Sequence, residues 1–215
     1  MEKGLGMLEK FHVAKEDIIH IEEERLRSVT KEILMTQGIF EKDALLATDA
    51  LIKADLRGVE SHGVSNMLRA YLGAFKSNSL NPKPNWKIVK ETASCATINS
   101  DNGLGIVVAP QAMEIAVEKA KKTGAGIVTM NNCGHLGMLA YHSMIASNND
   151  MIGTTMAACS PRMVPTYSSV RALGTNPISY SAPADKLPDF VFDAAMTSVA
   201  GNKIVLASRL NVPLS

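Results

Sequence analysis

Apolar residues in the first part of the chain recur every three or four positions, which is the period of an amphipathic helix. The pattern is clearest over residues 41–56, where small apolar residues, mostly alanines, fall on one face. It also predicts helices over residues 19–34 and 65–76, with Gly38 as the stop between the helices over residues 19–34 and 41–56. The first 80 residues are therefore predicted to form a largely helical layer, which begins with a mobile extension over residues 1–18.

Short apolar runs alternate with helical patterns in the rest of the chain. Helices are predicted over residues 109–122, 138–147 and 197–210. The predicted strands are WKIVKET, ASCATINSD, GIVTMNN, MIGTTMAAC, PISYSAP and DFVFDA. GIVTMNN is almost continuously apolar and is expected to be a buried strand. Alternating strands and helices favour an α/β domain over residues 81–215, with strands that are at least partly parallel.

The composition narrows the functional classes. Of the 215 residues, 46% are apolar and 20% are charged, an ordinary balance for a globular protein. The formal net charge is +1 and the basic residues are scattered, so no electrostatic feature favours nucleic acid or a membrane surface. The three cysteines, Cys95, Cys133 and Cys159, are too widely spaced for a CxxC metal site and are odd in number. We therefore expect a soluble, cytoplasmic protein without a metal.

Glycine pairs at two places resemble the start of a dinucleotide-binding fingerprint, but neither completes it. Gly103-x-Gly105 is followed at the third position by Val108, where the fingerprint needs a small residue. Gly124-x-Gly126 also lacks the third small residue, and it precedes a predicted strand when it should follow one. A nicotinamide cofactor, if bound, must be held by a fold other than the Rossmann fold.

Two of the five histidines lie in glycine-punctuated turns, which makes them the first candidates for chemistry. His62 follows Ser61 in GVESHG, and His135 lies in GHLG between a predicted strand and a predicted helix. Ligand groups gather at such strand-to-helix junctions, and an imidazole can move a proton near neutral pH. Structural roles remain open, because His135 could cap a turn and Ser61 could cap the next helix. His142 is expected to be solvated or partly packed.

Taken in order along the chain, ADLRGVESHG, INSDNGLG, GHLG, GTNPISYSAP and DAAMTSVAGNKI resemble the malate/L-lactate dehydrogenase type-2 family. This family includes ureidoglycolate and sulfolactate dehydrogenases and cyclic-imine carboxylate reductases. The resemblance runs from about residue 19 to 213. It implies a non-Rossmann α/β fold, in which a helical N-terminal layer (residues 1–80) precedes a mixed-sheet domain (residues 81–215) that binds NAD or NADP. It also implies a homodimer.

The resemblance implies roles for individual residues. Ser61 and His62 would hold the substrate carboxylate, and His135 would take the hydroxyl proton. Many family members carry an arginine four residues after the first histidine, where this chain has Asn66, so Arg69 is the expected substitute. Cofactor contacts are implied at His135, Cys159, Ser160, Asn176, Asp193, Ala194 and Ala195, and Ser160 would also line the substrate site.

The function that follows is hydride transfer between NAD(P) and a small 2-hydroxy or 2-oxo acid, malate-like or lactate-like. One alternative within the family is reduction of a cyclic imine carboxylate. A different alternative is a catalytically inactive remnant, because family members continue past the last helix with a glycine-rich segment that completes the cofactor site. On that reading the chain is expected to be truncated at its C-terminus.

Overall fold

The structure is a computed structural model that describes residues 15–198 and 201–211. Most of the predicted mobile extension, residues 1–14, lies outside the described residues. The helices are α1 (Glu23–Met35), α2 (Glu41–Leu56), α3 (Val64–Lys76), α4 (Gly105–Thr123), α5 (Ala140–Ser147) and α6 (Gly201–Leu210), with 3-10 turns at Lys15–Asp17 and Glu60–His62. The strands are β1 (Lys87–Glu91), β2 (Cys95–Asn99), β3 (Ile127–Asn131), β4 (Gly153–Met156), β5 (Ile178–Ala182) and β6 (Phe190–Ala194).

All of the predicted helices and strands are present, with shifts at their ends. The helix predicted from residue 19 begins at Glu23, because the apolar residues before it are exposed and do not pack, with Ile19 84% exposed. α4 begins at Gly105, four residues earlier than predicted, and carries Pro110 inside it. Residues 106–109 are all apolar and show no helical period, so this early start was not predicted.

The strands form two sheets of three. In the first sheet β1 pairs antiparallel with β2, and β2 pairs parallel with β3. Parallel neighbours need a long crossover, and α4 provides it between β2 and β3. In the second sheet β4, β5 and β6 are antiparallel throughout. The expected parallel pairing is therefore confirmed only for β2 and β3.

The expectation that the GIVTMNN strand is buried was wrong. This segment forms β3, in which exposed and half-buried residues alternate, and Ile127 is 59% exposed. Val128 and Met130 pack against the core next to α4, whereas the alternate residues point away from it. A run of apolar residues does not alternate with polar ones. Its sequence therefore cannot show whether a strand is covered on one face or on both.

A single apolar core joins the helical layer to the α/β part. Its buried side chains come from α1, α2, α3, the start of α4 and α5, and include Leu34, Leu51, Met67, Tyr71, Phe75, Ile106, Met138 and Tyr141. A smaller cluster around Ile98, Val108 and Ala112 lies between the first sheet and α4. Within the described residues, no helix is both long enough and apolar enough to cross a membrane.

Candidate functional site

The fold brings together the two histidines that the sequence singled out. His62 ends the 3-10 turn between α2 and α3, and His135 lies in the turn between β3 and α5. Their rings stack with 5.5 Å between centroids and 10° between planes. Two turns that are distant in the sequence therefore form one site.

The turn that carries His62 is held by an acid, Asp55, that the sequence analysis did not single out. The Asp55 carboxylate accepts a hydrogen bond from the Val64 backbone N–H (2.9 Å) at the start of α3. Gly63 lies against this carboxylate, and a Cβ at that position would come within 1.6 Å of Asp55 Oδ1. Beside it, Ser61 Oγ lies 2.9 Å from His62 Nδ1. The glycine in SHG thus allows the acid to reach the helix end and fix the turn.

Two asparagine amides hold the backbone of this turn. Asn66 in α3 and Asn202 in α6 each donate a hydrogen bond to the Ser61 carbonyl oxygen, both at 2.9 Å. Asn66 occupies the position at which many family members carry arginine, and here its amide serves the backbone of the turn. Asn202 links α6, far along the chain, to the same carbonyl.

His135 is held at one ring nitrogen by a buried tyrosine and a backbone amide. The Tyr71 hydroxyl lies 2.9 Å from His135 Nδ1, and the Gly137 N–H donates to the same nitrogen at 3.2 Å. Tyr71 is 2% exposed, and burial raises its pKa far above the usual range, so its hydroxyl stays protonated. Because a backbone N–H can only donate, we assign Nδ1 as the acceptor and Nε2 as the protonated nitrogen of the neutral ring.

Burial and neighbouring charge keep both histidines neutral. Burial first, and then repulsion from His62 when that ring is protonated and from Arg162, lower the pKa of His135 to about 4. Burial also lowers the pKa of His62. Two stacked imidazoles cannot both be protonated at low cost, so the pair accepts at most one proton readily. The positive charge of Arg162, which the sequence analysis did not single out, therefore acts on His135.

Residues predicted to contact the cofactor gather at one end of the second sheet. In its register Met156, Ile178 and Ala194 are neighbours, so the segments after β4, before β5 and after β6 emerge together. Asn176 Oδ1 accepts a hydrogen bond from the Cys159 backbone N–H at 3.0 Å. Ala195 comes directly after Ala194 at the end of β6, and Ser160 comes directly after Cys159 and is exposed.

Asp193 connects this cluster to the His135 turn. Its carboxylate accepts a hydrogen bond from the Ala140 N–H, at 2.7 Å, and so caps the start of α5. Burial raises the pKa of Asp193, and the Leu139 and Ala140 amides partly offset that rise. The aspartate therefore has a visible structural role, and it ties the end of β6 to the helix that follows the His135 turn.

Arg69 is not brought to the histidine pair. It is exposed on α3, two residues before Tyr71, and at 100° per residue that places it about 200° around the helix from the tyrosine that contacts His135. The predicted substrate role of Arg69 therefore gains no support from its position. His142 was expected to be solvated or partly packed. It is instead buried (1% exposed), with Nε2 2.8 Å from the Leu136 carbonyl oxygen.

The described residues also contain a groove away from the histidine pair. A groove of about 570 Å³ lies between β1 and α4, lined by residues that include Trp86, Gln111 and Lys119. None of the predicted site residues lines it. Within residues 15–198 and 201–211, no cluster of three or more His, Cys, Asp or Glu side chains is arranged to hold a metal ion.

Comparison with known proteins decides the family. A family model described as malate/L-lactate dehydrogenase matches residues 21–215, which is nearly the whole chain. The chain belongs to the malate/L-lactate dehydrogenase family.

Two relatives and one solved structure illustrate the similarity. The L-sulfolactate dehydrogenase of Methanocaldococcus jannaschii is 40% identical over 183 residues, which is 85% of this chain and 53% of the relative. The malate dehydrogenase of Pyrococcus abyssi is 40% identical over 203 residues, 94% of this chain and 55% of that protein. The structure of malate dehydrogenase from Pyrococcus horikoshii OT3 superposes with a TM-score of 0.86 at 39% identity, covering 90% of this chain and 55% of that one.

These matches confirm the family resemblance and the α/β fold outside the Rossmann class, and they identify the chain as part of a family of 2-hydroxy acid dehydrogenases. They also show that the chain spans only about half the length of the relatives that it matches. The stacked histidines and the Tyr71 contact therefore lie in the portion that the malate/L-lactate dehydrogenase family shares with this chain.

Proposed function

We propose that this chain carries the proton-transfer and carboxylate-binding part of a site that interconverts a small 2-hydroxy acid and a 2-oxo acid with NAD(P). The observation that carries the proposal is His135, which is held at Nδ1 by Tyr71 and Gly137 and stacked on His62. This arrangement leaves Nε2 as the ring nitrogen available for proton exchange with a substrate oxygen. Positioned acid–base catalysis typically contributes 10²–10⁴-fold to a rate.

Binding of an anionic substrate would prepare His135 for this role. In the free site, nearby positive charge helps to keep the pKa of His135 at about 4. A substrate carboxylate beside Arg162 and His62 would neutralise that charge and raise the pKa of His135. In the resulting imidazolium the Nδ1 proton needs an acceptor, and the Tyr71 hydroxyl can turn to accept it because a hydroxyl both donates and accepts.

The reaction then balances as follows. In the reductive direction, hydride adds to the carbonyl carbon of the 2-oxo acid and the Nε2 proton of His135 passes to the carbonyl oxygen, which gives the hydroxyl group. In the oxidative direction, the neutral ring first takes the form with its proton on Nδ1, donated to the Tyr71 hydroxyl, so that unprotonated Nε2 takes the hydroxyl proton as hydride leaves the same carbon. A bound nicotinamide cofactor supplies or accepts the hydride.

The cluster at the end of the second sheet is the part of this chain that fits a nicotinamide. Its segments offer backbone groups and some small side chains, among them Ala194 and Ala195. Cys159 and Asn176 are already fixed to each other, and Asp193 connects the cluster to α5. Which of NAD and NADP is used is tested by offering both.

The test of His135 is NADH and NADPH oxidation with oxaloacetate, pyruvate and sulfopyruvate. We expect wild-type turnover with at least one pair, and about a 10²–10⁴-fold lower kcat/KM in His135→Gln. His20→Asn, at an exposed histidine that makes no described contact with the pair, is the control and should keep the wild-type rate. An unchanged rate in His135→Gln would contradict the role of this residue. A rate only with a cyclic imine carboxylate would favour the reductase alternative, and no cofactor binding by the folded chain would favour the inactive remnant.

The carboxylate partner is tested by a matched pair of arginine variants. Arg162→Met should raise KM for the 2-oxo acid about tenfold or more, because a charge-assisted pair with the carboxylate is lost. Arg69→Met removes a cation from the exposed face of α3 and should leave KM nearly unchanged. A raised KM in Arg69→Met with an unchanged KM in Arg162→Met would instead support the substrate role of Arg69.

A further inference from the structure

His142 is a buried histidine in α5 that uses one ring nitrogen and leaves the other unpaired. Its Nε2 lies 2.8 Å from the Leu136 carbonyl oxygen, and a carbonyl can only accept, so Nε2 carries the proton. Nδ1 is then an acceptor, and none of the described residues donates a hydrogen bond to it. The one directed bond of His142 therefore goes to the residue that directly follows His135.

Core packing alone does not explain a histidine at this position. His142 is surrounded in α5 by residues that are themselves buried, among them Tyr141 and Ala146. A buried acceptor without a partner destabilises a protein, and an apolar side chain of similar size would avoid that cost. The histidine is accounted for if the N–H that it supplies to Leu136 is needed.

The segment that receives this bond has no regular structure of its own. Residues 132–139, between β3 and α5, form neither helix nor strand. Before His135, the Gly134 N–H donates to the Gly103 carbonyl oxygen at 2.9 Å. After His135, the Leu136 carbonyl accepts from His142, and no backbone N–H of the described residues donates to it. His142 therefore holds the backbone directly after His135.

The helix that carries His142 is itself fixed to the second sheet. At its start the Ala140 N–H donates to the Asp193 carboxylate at 2.7 Å, and further along the Ser143 hydroxyl lies 2.8 Å from the Ser179 hydroxyl. The end of that sheet carries the residues that are predicted to contact the cofactor. Through His142, the turn that carries the proton-transfer residue is thus tied to the same sheet.

We propose that His142 is a positioning residue, whose Nε2–H fixes the Leu136 carbonyl and so keeps the His135 ring oriented for proton transfer. Orientation matters because a displacement of about 1 Å in a reacting group can lower a rate by about 100-fold. The expected effect on turnover rests on the proposed role of His135. The expected effect on the orientation of the His135 ring does not, so the two can be tested separately.

The first experiment follows the His135 ring by nitrogen-15 NMR at pH 8, where the ring is neutral. In the wild type one nitrogen is protonated and the other is not, so two well-separated resonances are expected. In His142→Leu the ring is released and exchanges between its two neutral forms, so the resonances should move together. His142→Gln should keep them apart, because its amide can donate to the Leu136 carbonyl.

Ser143→Ala is the matched control, because it removes a buried hydroxyl from the same helix without touching Leu136. Its His135 resonances should stay at the wild-type positions. Circular dichroism checks the folding of every variant, and His142→Met is the second apolar variant should leucine prevent folding. Unchanged resonances in the apolar variant, or the same change in His142→Gln or Ser143→Ala, would overturn the proposal.

The second experiment measures kcat and KM with the substrate and cofactor that the wild type turns over. We expect kcat to fall by about 10- to 100-fold in His142→Leu, with KM within about threefold of wild type. His142→Gln and Ser143→Ala should keep kcat within about threefold. Equal loss of kcat in His142→Leu and His142→Gln would show a merely structural role.

The two proposals can fail independently. If His142→Leu releases the His135 ring while His135→Gln keeps the wild-type rate, positioning by His142 stands and proton transfer by His135 is wrong. If His135→Gln loses its rate while His142→Leu changes neither the ring resonances nor kcat, proton transfer stands and positioning by His142 is wrong.

Discussion

In the proposed mechanism, Tyr71 lets His135 change its protonation state without moving. Its hydroxyl contacts Nδ1 and can donate to the neutral ring or accept from the imidazolium. The Gly137 N–H at the same nitrogen can only donate, so by itself it favours the neutral ring. The balance between these two groups therefore helps to set the pKa of His135.

Replacement of Tyr71 by Phe should lower the pKa of His135 further, because the imidazolium loses its acceptor at Nδ1. Hydrogen bonds to charged groups contribute roughly 1.5–3 kcal/mol, so we expect kcat to fall by about 10- to 100-fold with a smaller change in KM. Nitrogen-15 NMR of the ring gives the pKa directly. Tyr141→Phe, at a tyrosine bonded to Asp49, is the control, and an identical shift in both variants would contradict the assignment.

Buried neutral histidines should make stability depend on pH. The pKa of His142 is lowered to about 4, mainly by burial, from an ordinary value of 6.5. Between pH 4 and 6.5 the unfolded chain therefore binds more protons than the native one. The free energy of unfolding then rises with pH across that window, and the contribution of His142 is lost as pH falls from about 6.5 to about 4. Each such group contributes up to about 1.4 kcal/mol per pH unit.

The measurement is urea unfolding of wild type and His142→Gln at several pH values between 4 and 7. The glutamine amide can still donate to the Leu136 carbonyl, so we expect the variant to stay folded with a weaker pH dependence. The comparison isolates the histidine, since the raised pKa values of Asp55 and Asp193 act in the opposite direction in both proteins. Equal slopes would contradict a neutral buried His142.

The sequence pointed to His62 and His135 because glycine-punctuated turns are visible as local patterns. It did not point to Asp55 or Tyr71, since each acts through contact with a residue in another element. Tyr71 meets His135 across 64 positions of the chain. Within α3 it lies on the buried side with Met67 and Phe75, so its pattern is that of an ordinary core residue.

At the scale of elements, the start of α4 supports the His135 turn. Gly105 opens the helix against the backbone of that turn, and a Cβ there would lie 2.4 Å from the Gly134 carbonyl oxygen and 2.6 Å from that of His135. Backbone atoms cannot rotate out of the way as a side chain can. The position of α4 and the position of His135 are thus coupled.

Gly105→Ala should therefore destabilise the protein by about 1–3 kcal/mol, the usual cost of overpacking, and should also disturb His135. Gly73→Ala in α3 is the matched control, because a Cβ there has nothing within 4 Å. It should stabilise by about 0.5–1 kcal/mol, since alanine favours a helix interior over glycine. Thermal unfolding of both variants measures the two changes in stability. A loss of stability in neither variant, or in both, would contradict this account.

Helices were easier to predict than sheets for a physical reason. The helical period of α2 is repeated over four turns, so its bounds of Glu41–Leu56 agree with the prediction. The burial of β3 depends on which strands and helices lie beside it, and that information is not local. Strand β5 shows the same limit, because alternation identifies its two faces without saying which one is covered: Ser179 is buried and Tyr180 is 39% exposed.

At the scale of the whole molecule, one core spans the boundary predicted near residue 80. Leu51 in α2 and Ile106 in α4 belong to the same buried cluster. The helical layer and the α/β part are therefore expected to unfold together in one cooperative transition. The proposed division at residue 80 would then describe sequence patterns and not separate units of stability.

Leu51→Ala tests this cooperativity. Leu51 is 1% exposed, so its truncation should lower the free energy of unfolding by about 2–5 kcal/mol. The only tryptophan, Trp86, packs near the first sheet, well away from Leu51 in the sequence. We expect its fluorescence and the far-ultraviolet circular dichroism to shift to the same lower midpoint. A tryptophan midpoint that stays at the wild-type value would show two independent domains.

The fixed ring of His135 has a consequence for the handedness of the product. A donor held at Nδ1 on one side and stacked on His62 on the other can deliver its proton from one direction only. The carbonyl group must then present its oxygen to that direction, and its two sides become inequivalent toward an incoming hydride. We expect a single enantiomer of the hydroxy acid, with the optical purity of the product falling when Tyr71 or His62 no longer restrains the ring.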